Sequence, residues 1–178
     1  KSVLVREIYK PVTEAKGYFM AGKFDQFQRN IPYSAVIKAF EELIEQLLTE
    51  PEENLQEWRE KITQALGANG QIIIDVIPEI ELIIGKQKPV PELPPTEGQN
   101  RFKVVLEKFI GVFTKPEHPL AIFLDDLQWA DRASLNLLEL LMTGPERQNL
   151  LVIGAYRDNE VSESHPLILT LKEIAKSG

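Results

Sequence analysis

The chain has 178 residues, of which 43% are hydrophobic, with no cysteine and a net charge of −7. This length and apolar content are enough for one buried core, and therefore for one domain or a large part of one. The absence of cysteine excludes a disulfide framework and a thiolate metal site. The absence of a basic cluster argues against a nucleic-acid surface.

Membrane and metal sites are also disfavoured by the composition. No run approaches the roughly 18 consecutive apolar residues of a membrane helix, and no signal peptide opens the chain. The two histidines, His118 and His165, lie far apart in the sequence, so a histidine-based metal site is not expected. The first residue is not methionine, which we interpret as a fragment or a trimmed chain. We therefore expect a soluble cytoplasmic protein.

Helical and strand patterns alternate in the first part of the chain. Residues 2–15 predict a helix, residues 17–24 a strand, and residues 25–31 a loop. Two amphipathic helices follow, the first after Pro32 and the second after a capping-box pattern that starts at Thr49. Gly67 is expected to end the second helix. Their apolar faces have helical spacing: Val36, Phe40, Leu43 and Leu47, then Leu55, Trp58, Ile62 and Leu66.

Residues 71–84 carry conflicting signals. Their β-branched content favours a strand. Asn69 as a helix cap and Pro78 at a first helical position favour short helices instead. The local pattern leaves both interpretations open.

The second half begins with a proline-rich segment, residues 86–99, which predicts an extended loop that crosses the surface within one domain. A second capping box, starting at Thr96, predicts a helix that ends before Pro116. Asp131 is expected to cap a further helix that Gly144 closes. Residues 150–155 predict a buried strand and residues 166–175 a last helix. Strands separated by helices indicate a parallel α/β fold.

The most informative stretch is a short apolar run that ends in two carboxylates. Residues 121–124 do not alternate in polarity, which is typical of a strand buried on both faces of a parallel sheet. Asp125 and Asp126 follow directly. Ligands of open α/β sheets bind beyond the carboxyl ends of the strands, where an acid can support Mg²⁺.

The first two residues of the chain add to this pattern. Lys1 and Ser2 match the end of a phosphate-binding loop of the form G-x-x-x-x-G-K-[ST]. In such a loop the lysine reaches the β- and γ-phosphates and the hydroxyl binds Mg²⁺. A two-residue match has little value alone, so its weight comes from the acidic strand end downstream.

Taken together, these residues resemble the Walker A end and the Walker B strand of an AAA-type P-loop ATPase. The subgroup that they most resemble is the signal-transduction (STAND) kind, with an origin-recognition-like AAA domain. It occurs in bacterial multidomain regulators that join serine/threonine kinases to histidine kinases. The likeness covers nearly the whole chain, and its most specific piece is LDDLQWAD at residues 124–131. The other similar segments are residues 22–26, 32–33, 39–40, 100–102 and 154–161.

The resemblance implies a three-layer P-loop NTPase fold, an α/β architecture with a parallel sheet flanked by helices. Residues 1–178 would form part of one AAA-type ATPase domain, truncated within the Walker A motif, with the first strand and the lid missing. Residues 32–99 would be a helical insertion and proline-rich loop within it. The family has short helices at 71–84, and we favour that interpretation.

The resemblance also implies a role for each candidate residue. Lys1, Ser2 and Asp125 would bind ATP, with Ser2 and Asp125 supporting Mg²⁺. Asp126 takes the place of the residue that activates the attacking water in many AAA ATPases. Arg157 resembles a sensor arginine that reads the γ-phosphate, and the alternative for Arg157 is a surface ion pair with Asp158 or Glu160.

The function implied is an ATP-binding, slowly hydrolysing regulatory switch of a multidomain signalling protein. Its partners would be ATP or ADP and other domains of the same polypeptide, such as kinase or sensor domains, with no nucleic acid or membrane. One alternative is a DNA-handling AAA ATPase of the initiator or helicase-loader kind, and another is a nucleotide-free interaction domain. Backbone N–H groups supply most phosphate affinity in such loops. Without the glycine-rich turn, therefore, the chain alone should bind ATP poorly, and whether it is an enzyme stays open.

Overall fold

The computed structural model describes residues 7, 11–12, 14, 16–28, 31–144 and 149–177. It divides into two compact units. The first combines the residues up to Ala39 with those from Thr114 onward, and the second contains Phe40–Phe113. The predicted helix over residues 2–15 lies mostly outside the described residues. The predicted extent of the ATPase domain, with its insertion at 32–99, stays a prediction.

A parallel sheet lies in the first unit. Within the described residues it has three strands in the spatial order β1 (Tyr18–Lys23), β2 (Leu120–Asp125) and β3 (Leu150–Gly154). The register pairs Lys23 with Asp125 and Leu124 with Gly154. The carboxyl ends of the three strands are therefore aligned along one edge of the sheet. This arrangement, with helices between the strands, confirms the predicted α/β class.

The helices of the described residues follow the predicted order. Helix α1 begins in the first unit and continues into the second, α2 to α5 lie in the second unit, and α6 and α7 lie in the first, where they pack against each other. Short 3₁₀ turns connect several of them. The helix bounds are α1 (Ser34–Leu47), α2 (Glu52–Leu66), α3 (Gly70–Ile74), α4 (Glu81–Ile84), α5 (Pro95–Phe113), α6 (Arg132–Thr143) and α7 (Pro166–Ser177).

An aromatic cluster forms the core of the second unit. The ring of Phe40 lies 5.1 Å from that of Phe109, and Trp58 stacks on Phe113 at 5.2 Å. Offset and tilted ring pairs at this spacing add favourable quadrupole interactions to the burial of apolar surface. The predicted role of Trp58 as a core residue is confirmed, since only 4% of it is exposed.

Residues 71–84 form short helices, as favoured above. The isoleucines of α3 and α4 are buried in the second unit, so tertiary packing outweighs their β-branched preference for strands. Pro78 begins a 3₁₀ turn, as predicted, but the side chain of Asn69 makes no capping hydrogen bond.

Both predicted capping boxes are wrong. Helix α2 has Pro51 at its cap position, and the Thr49 hydroxyl instead donates to the carbonyl of Gln46 at the end of α1. Such local bonds of threonine compete with capping. Helix α5 begins one residue before Thr96, at Pro95, because proline has the backbone angle of a first helical residue and lacks the N–H that would be unpaired there.

Strand β3 also differs from its prediction as a buried strand. Its side chains are half-buried or exposed, and Leu151 is 50% exposed. Within the described part of the chain β3 pairs only with β2, so its other edge has no described strand beside it. Helices of the described residues are all too short or too polar to cross a membrane.

Close packing at Gly22 in β1 gives a test of this arrangement. A Cβ at Gly22 would overlap the carbonyl oxygen of Ala35 in α1. We therefore expect Gly22→Ala to lower the free energy of unfolding by about 1–3 kcal/mol, the usual cost of overpacking. Denaturant unfolding measures the change.

The matched control is Gly98→Ala within α5, where the new methyl group meets only ordinary contacts. This control should stabilise the protein by up to about 1 kcal/mol because alanine is the better helix former. Equal effects of the two substitutions would contradict the packing described here.

Candidate functional site

The candidate site lies at the carboxyl edge of the sheet, where β2 passes into a tight turn. Asp125 is the last residue of β2 and is half-buried. Asp126 follows with a left-handed backbone, at φ 54° and ψ 43°. Aspartate tolerates this conformation better than most residues. This residue leads into the 3₁₀ turn Leu127–Trp129.

Backbone hydrogen bonds join the ends of all three strands at this edge. The N–H of Phe24, after β1, donates to the carbonyl of Asp125 at 3.1 Å. Beyond β3, the N–H of Ala155 donates to the carbonyl of Leu124 at 2.8 Å, and its own carbonyl accepts from Leu127 at 3.0 Å. The loops that carry the candidate residues are therefore held to one another by the main chain.

Asp126 is the buried charge of the site. Its side chain is only 4% exposed, although Asp125 beside it is half-buried. A buried carboxylate is costly unless opposite charges and hydrogen-bond donors compensate it. The groups around Asp126 supply this compensation.

Two cations and one amide contact the two oxygens of Asp126. The ammonium of Lys23 lies 3.6 Å from Oδ2, and the Nε of Arg157 lies 3.6 Å from Oδ1. Both distances exceed those of hydrogen bonds, so the contacts are ion pairs. The amide of Gln128 donates a hydrogen bond to Oδ1 at 3.2 Å.

Gln128 connects the loop after β2 to the loop after β3. It is 3% exposed, and its Oε1 accepts a hydrogen bond from the backbone N–H of Arg157 at 3.3 Å. The buried amide of Gln128 is therefore hydrogen-bonded both to the carboxylate of Asp126 and to the backbone N–H of Arg157. Their relative position depends on it.

Arg157 has partners on several sides. Its guanidinium lies 5.4 Å from the ring centre of Trp129, a cation–π distance, and donates to Glu160 at 2.9 Å. The side chain is half-exposed. The predicted surface pair with Glu160 is thus present together with the contact to Asp126.

The predicted site residues can now be located. Asp125, Asp126 and Arg157 meet at one edge of the sheet, whereas Lys1 and Ser2 lie outside the described residues. Their functional roles stay predictions. His165 accepts from the N–H of Leu167 at the start of α7, as expected of a helix-entry residue.

Sequence reasoning missed Lys23 and Gln128. The signal for Lys23 was available, because it ends β1 at the same edge as Asp125. Gln128 belongs to the same short motif as Asp126, but no helical or strand periodicity indicates that its amide turns back to Asp126.

A second polar pair borders the site. Asp131 caps α6 by accepting from the N–H of Ser134 at 2.9 Å, as predicted, and also accepts from the N–H of Tyr33 at 3.3 Å. Burial raises the pKa of Tyr33, and the negative charge of Asp131 raises it further. Asp131 thereby joins the start of α1 to the start of α6.

An apolar groove of about 310 Å³ lies at the opposite end of the strands. The first residues of β2 and β3, Leu120 and Leu150, line it together with Pro119. It carries no charged side chain among its lining residues, and the acidic edge of the sheet is at the other end. We therefore assign it no part in the candidate site.

A comparison with protein families shows which family the chain belongs to. The model of the AAA ATPase domain matches residues 1–153. The chain belongs to this family. The predicted AAA-type identity is therefore confirmed.

Two histidine kinases are similar to this AAA domain. It is 39% identical over 142 residues to hybrid signal transduction histidine kinase G of Dictyostelium discoideum, covering 80% of the chain. It is 22% identical over 154 residues to histidine protein kinase 1 of Candida albicans, covering 78%. The chain spans only 4% and 6% of these relatives. No solved structure gives a significant match.

The bridging role of Gln128 leads to a stability prediction. Gln128→Leu removes the amide and leaves the carboxylate of Asp126 and the N–H of Arg157 each without one bond. We expect the free energy of unfolding to fall by about 1–3 kcal/mol, the cost of buried polar groups left without partners. Denaturant unfolding at pH 7 measures it.

The control for this prediction is Gln56→Leu, because Gln56 on α2 makes only exposed hydrogen bonds. It should change stability by no more than about 0.5 kcal/mol. A loss for Gln128→Leu no larger than for this control would contradict the bridging role.

The raised pKa of Tyr33 leads to a second prediction. A raised pKa favours the neutral phenol in the folded state, so this contribution to stability is complete below the ordinary tyrosine pKa, 10.0. It is lost as pH rises through the folded-state pKa. The absorbance titration of tyrosinate, taken as the difference between the protein and Tyr33→Phe, should give a pKa above 10.0.

Asp131→Asn should lower that difference pKa, because it removes the negative charge beside the phenol. Asp158→Asn serves as a charge-matched control elsewhere on the surface. An unchanged Tyr33 pKa in Asp131→Asn would show that Asp131 does not act on Tyr33.

Proposed function

We propose that the chain is the nucleotide-binding part of an ATP-dependent regulatory switch, with slow hydrolysis, in a multidomain signalling protein. The observation that carries the proposal is the buried Asp126, beside Asp125 and in contact with Lys23 and Arg157. Membership of the AAA ATPase family supports nucleotide use in general. The signalling context rests on the similarity to a hybrid signal transduction histidine kinase.

The donor groups fit a magnesium–triphosphate complex. Asp125 offers carboxylate oxygen at the carboxyl edge of the sheet, and oxygen is the ligand that Mg²⁺ prefers. Within the described residues no cluster of three acidic or histidine side chains could hold a metal by itself. This suits Mg²⁺, which keeps several waters and takes further oxygens from phosphates. When bound, Mg²⁺ would neutralise phosphate charge.

The cations of the site suit the other part of the ligand. Lys23 and Arg157 are both half or more exposed on the side chain, although each contacts the buried Asp126. Each can therefore exchange a carboxylate partner for a phosphate oxygen without a large loss of burial. In the proposal Arg157 is the group that senses the γ-phosphate.

Slow hydrolysis follows from the state of Asp126. As the proposed base, it would accept a proton from the attacking water, but its Oδ1 and Oδ2 already contact Gln128, Arg157 and Lys23. The attacking water would share these two oxygens with those partners. Aspartate is also one methylene shorter than the glutamate found in many AAA ATPases. Both features favour a switch held by ATP over a motor.

The proposal extends to the STAND subgroup and to the partners predicted above. These are ATP or ADP and other domains of the same polypeptide, such as kinase or sensor domains. The net charge of −7 argues against DNA, because nucleic-acid surfaces need clustered cations. The predicted cytoplasmic location stays a prediction.

The test separates binding from chemistry at the two aspartates. In the natural polypeptide that contains these 178 residues, Asp125→Asn should weaken Mg²⁺–ATP binding by about tenfold or more, equivalent to about 1.4 kcal/mol. Asp126→Asn should change binding little and lower single-turnover hydrolysis by about a hundredfold. Calorimetry measures the binding and released phosphate measures the hydrolysis.

Asp25→Asn is the matched control, because this carboxylate lies after β1 and caps its own loop by accepting from Phe27. It should leave binding and hydrolysis unchanged. Failure of the unaltered protein to bind nucleotide would favour the interaction-domain alternative. DNA-stimulated hydrolysis would favour the DNA-handling alternative, and rapid hydrolysis would overturn the slow switch.

A further inference from the structure

A proline-rich stretch in the second unit has properties that the nucleotide site does not use. We call Lys88–Pro94, with the sequence KPVPELP, the proline segment. It lies between α4 and α5 and contains no helix or strand. Six of its seven residues are exposed and Val90 is half-buried. None of its N–H groups forms a backbone hydrogen bond with another described residue.

The backbone of the proline segment is restricted by its own sequence. Proline fixes its own φ near −65°, and the residue before a proline is confined to extended or polyproline II conformations. Lys88, Val90 and Leu93 each precede a proline. Glu92 is therefore the one residue of the seven that neither is a proline nor precedes one. The segment has little conformational entropy to lose on binding.

The ends of the proline segment are held by the second unit. The side-chain amide of Gln87 donates to the carbonyls of Ile84 at 3.1 Å and Gly85 at 3.3 Å. At the other end, the carbonyl of Pro94 accepts from the N–H of Gly98 in the first turn of α5. The residues at both ends of the exposed segment are therefore hydrogen-bonded to the helical residues that flank it.

The spacing of its side chains fits a specific mode of recognition. A polyproline II helix has three residues per turn, so positions i and i+3 share a face. In that conformation Lys88, Pro91 and Pro94, which lie three apart, would share one face. Val90 and Leu93 precede the last two prolines and form two apolar–proline pairs. The pattern is basic–x–apolar–Pro–x–apolar–Pro.

We propose that the proline segment is a docking site for an SH3-type domain of a partner protein. Its aromatic-lined groove would take the pairs Val90–Pro91 and Leu93–Pro94 in adjacent pockets. Lys88 would lie against an acidic pocket beside the groove, and this fixes the direction of binding. The proposal is independent of nucleotide binding at the other unit.

The experiment titrates a purified SH3 domain, selective for ligands with a basic first residue, with the 178-residue chain and follows the fluorescence of its groove tryptophan. Saturable binding is expected. Pro91→Ala combined with Pro94→Ala should weaken it at least about tenfold, because both pockets lose their occupant. Lys88→Glu should weaken it similarly, and salt should weaken binding of the unaltered chain.

Pro89→Ala is the matched control, since residue 89 occupies a position of the pattern that no pocket requires, and it should weaken binding by no more than about threefold because only the backbone restriction at Lys88 is lost. Thermal unfolding of every variant verifies that the second unit stays folded. Absence of binding, or equal binding by the double variant, overturns the proposal. Binding by a peptide of residues 85–95 but not by the chain also overturns it, because the segment would then be covered.

Discussion

The structure of the candidate site depends on one constraint, the burial of a carboxylate at the end of the central strand. Asp126 is almost fully removed from water, and an uncompensated charge there would cost several kcal/mol. The left-handed turn at Asp126 directs its oxygens toward the neighbouring loops. Lys23 at the end of β1 and Arg157 after β3 contact one oxygen each. The three strand ends are joined electrostatically as well as by hydrogen bonds.

On the proposed function, the same charges would make the site responsive to a phosphate ligand. Both cations at this edge are paired with carboxylates, Lys23 with Asp126 and Arg157 with Asp126 and Glu160. On the proposed function, a triphosphate would compete with Asp126 for Lys23 and Arg157. Gln128 would hold Asp126 and the backbone of Arg157 in the same relative position during this exchange. Its hydrogen bonds involve neither the ammonium nor the guanidinium group. An exchange of the ion-pair partners of Lys23 and Arg157, without movement of the backbone, would suit a switch.

The second unit is organised around apolar packing rather than around a buried charge. Its stability comes from aromatic and aliphatic burial, with Phe40, Trp58, Phe109 and Phe113 in contact. Its distinctive surface feature is the proline segment, whose prolines restrict the backbone. Short helices α3 and α4 form there despite a composition that favours strands, since burial of their isoleucines outweighs intrinsic preference. A packed core that carries the exposed proline segment is consistent with the docking role proposed for this unit.

Local patterns in the sequence determined much of this protein. Unalternating apolar residues predicted β2 and its two terminal acids, helical spacing predicted the buried face of α2 with Trp58, and Asp131 was recognisable as a cap. These features depend on neighbours within a few residues. Tertiary structure alone decided that Lys23 and Arg157 meet Asp126 and that Gln128 bridges them. Those contacts require the parallel register of three strands and a left-handed turn. The predicted caps at Thr49 and Thr96 were wrong because adjacent prolines and carbonyl groups competed with them. Contacts between residues distant in the chain depend on packing, which no local periodicity encodes.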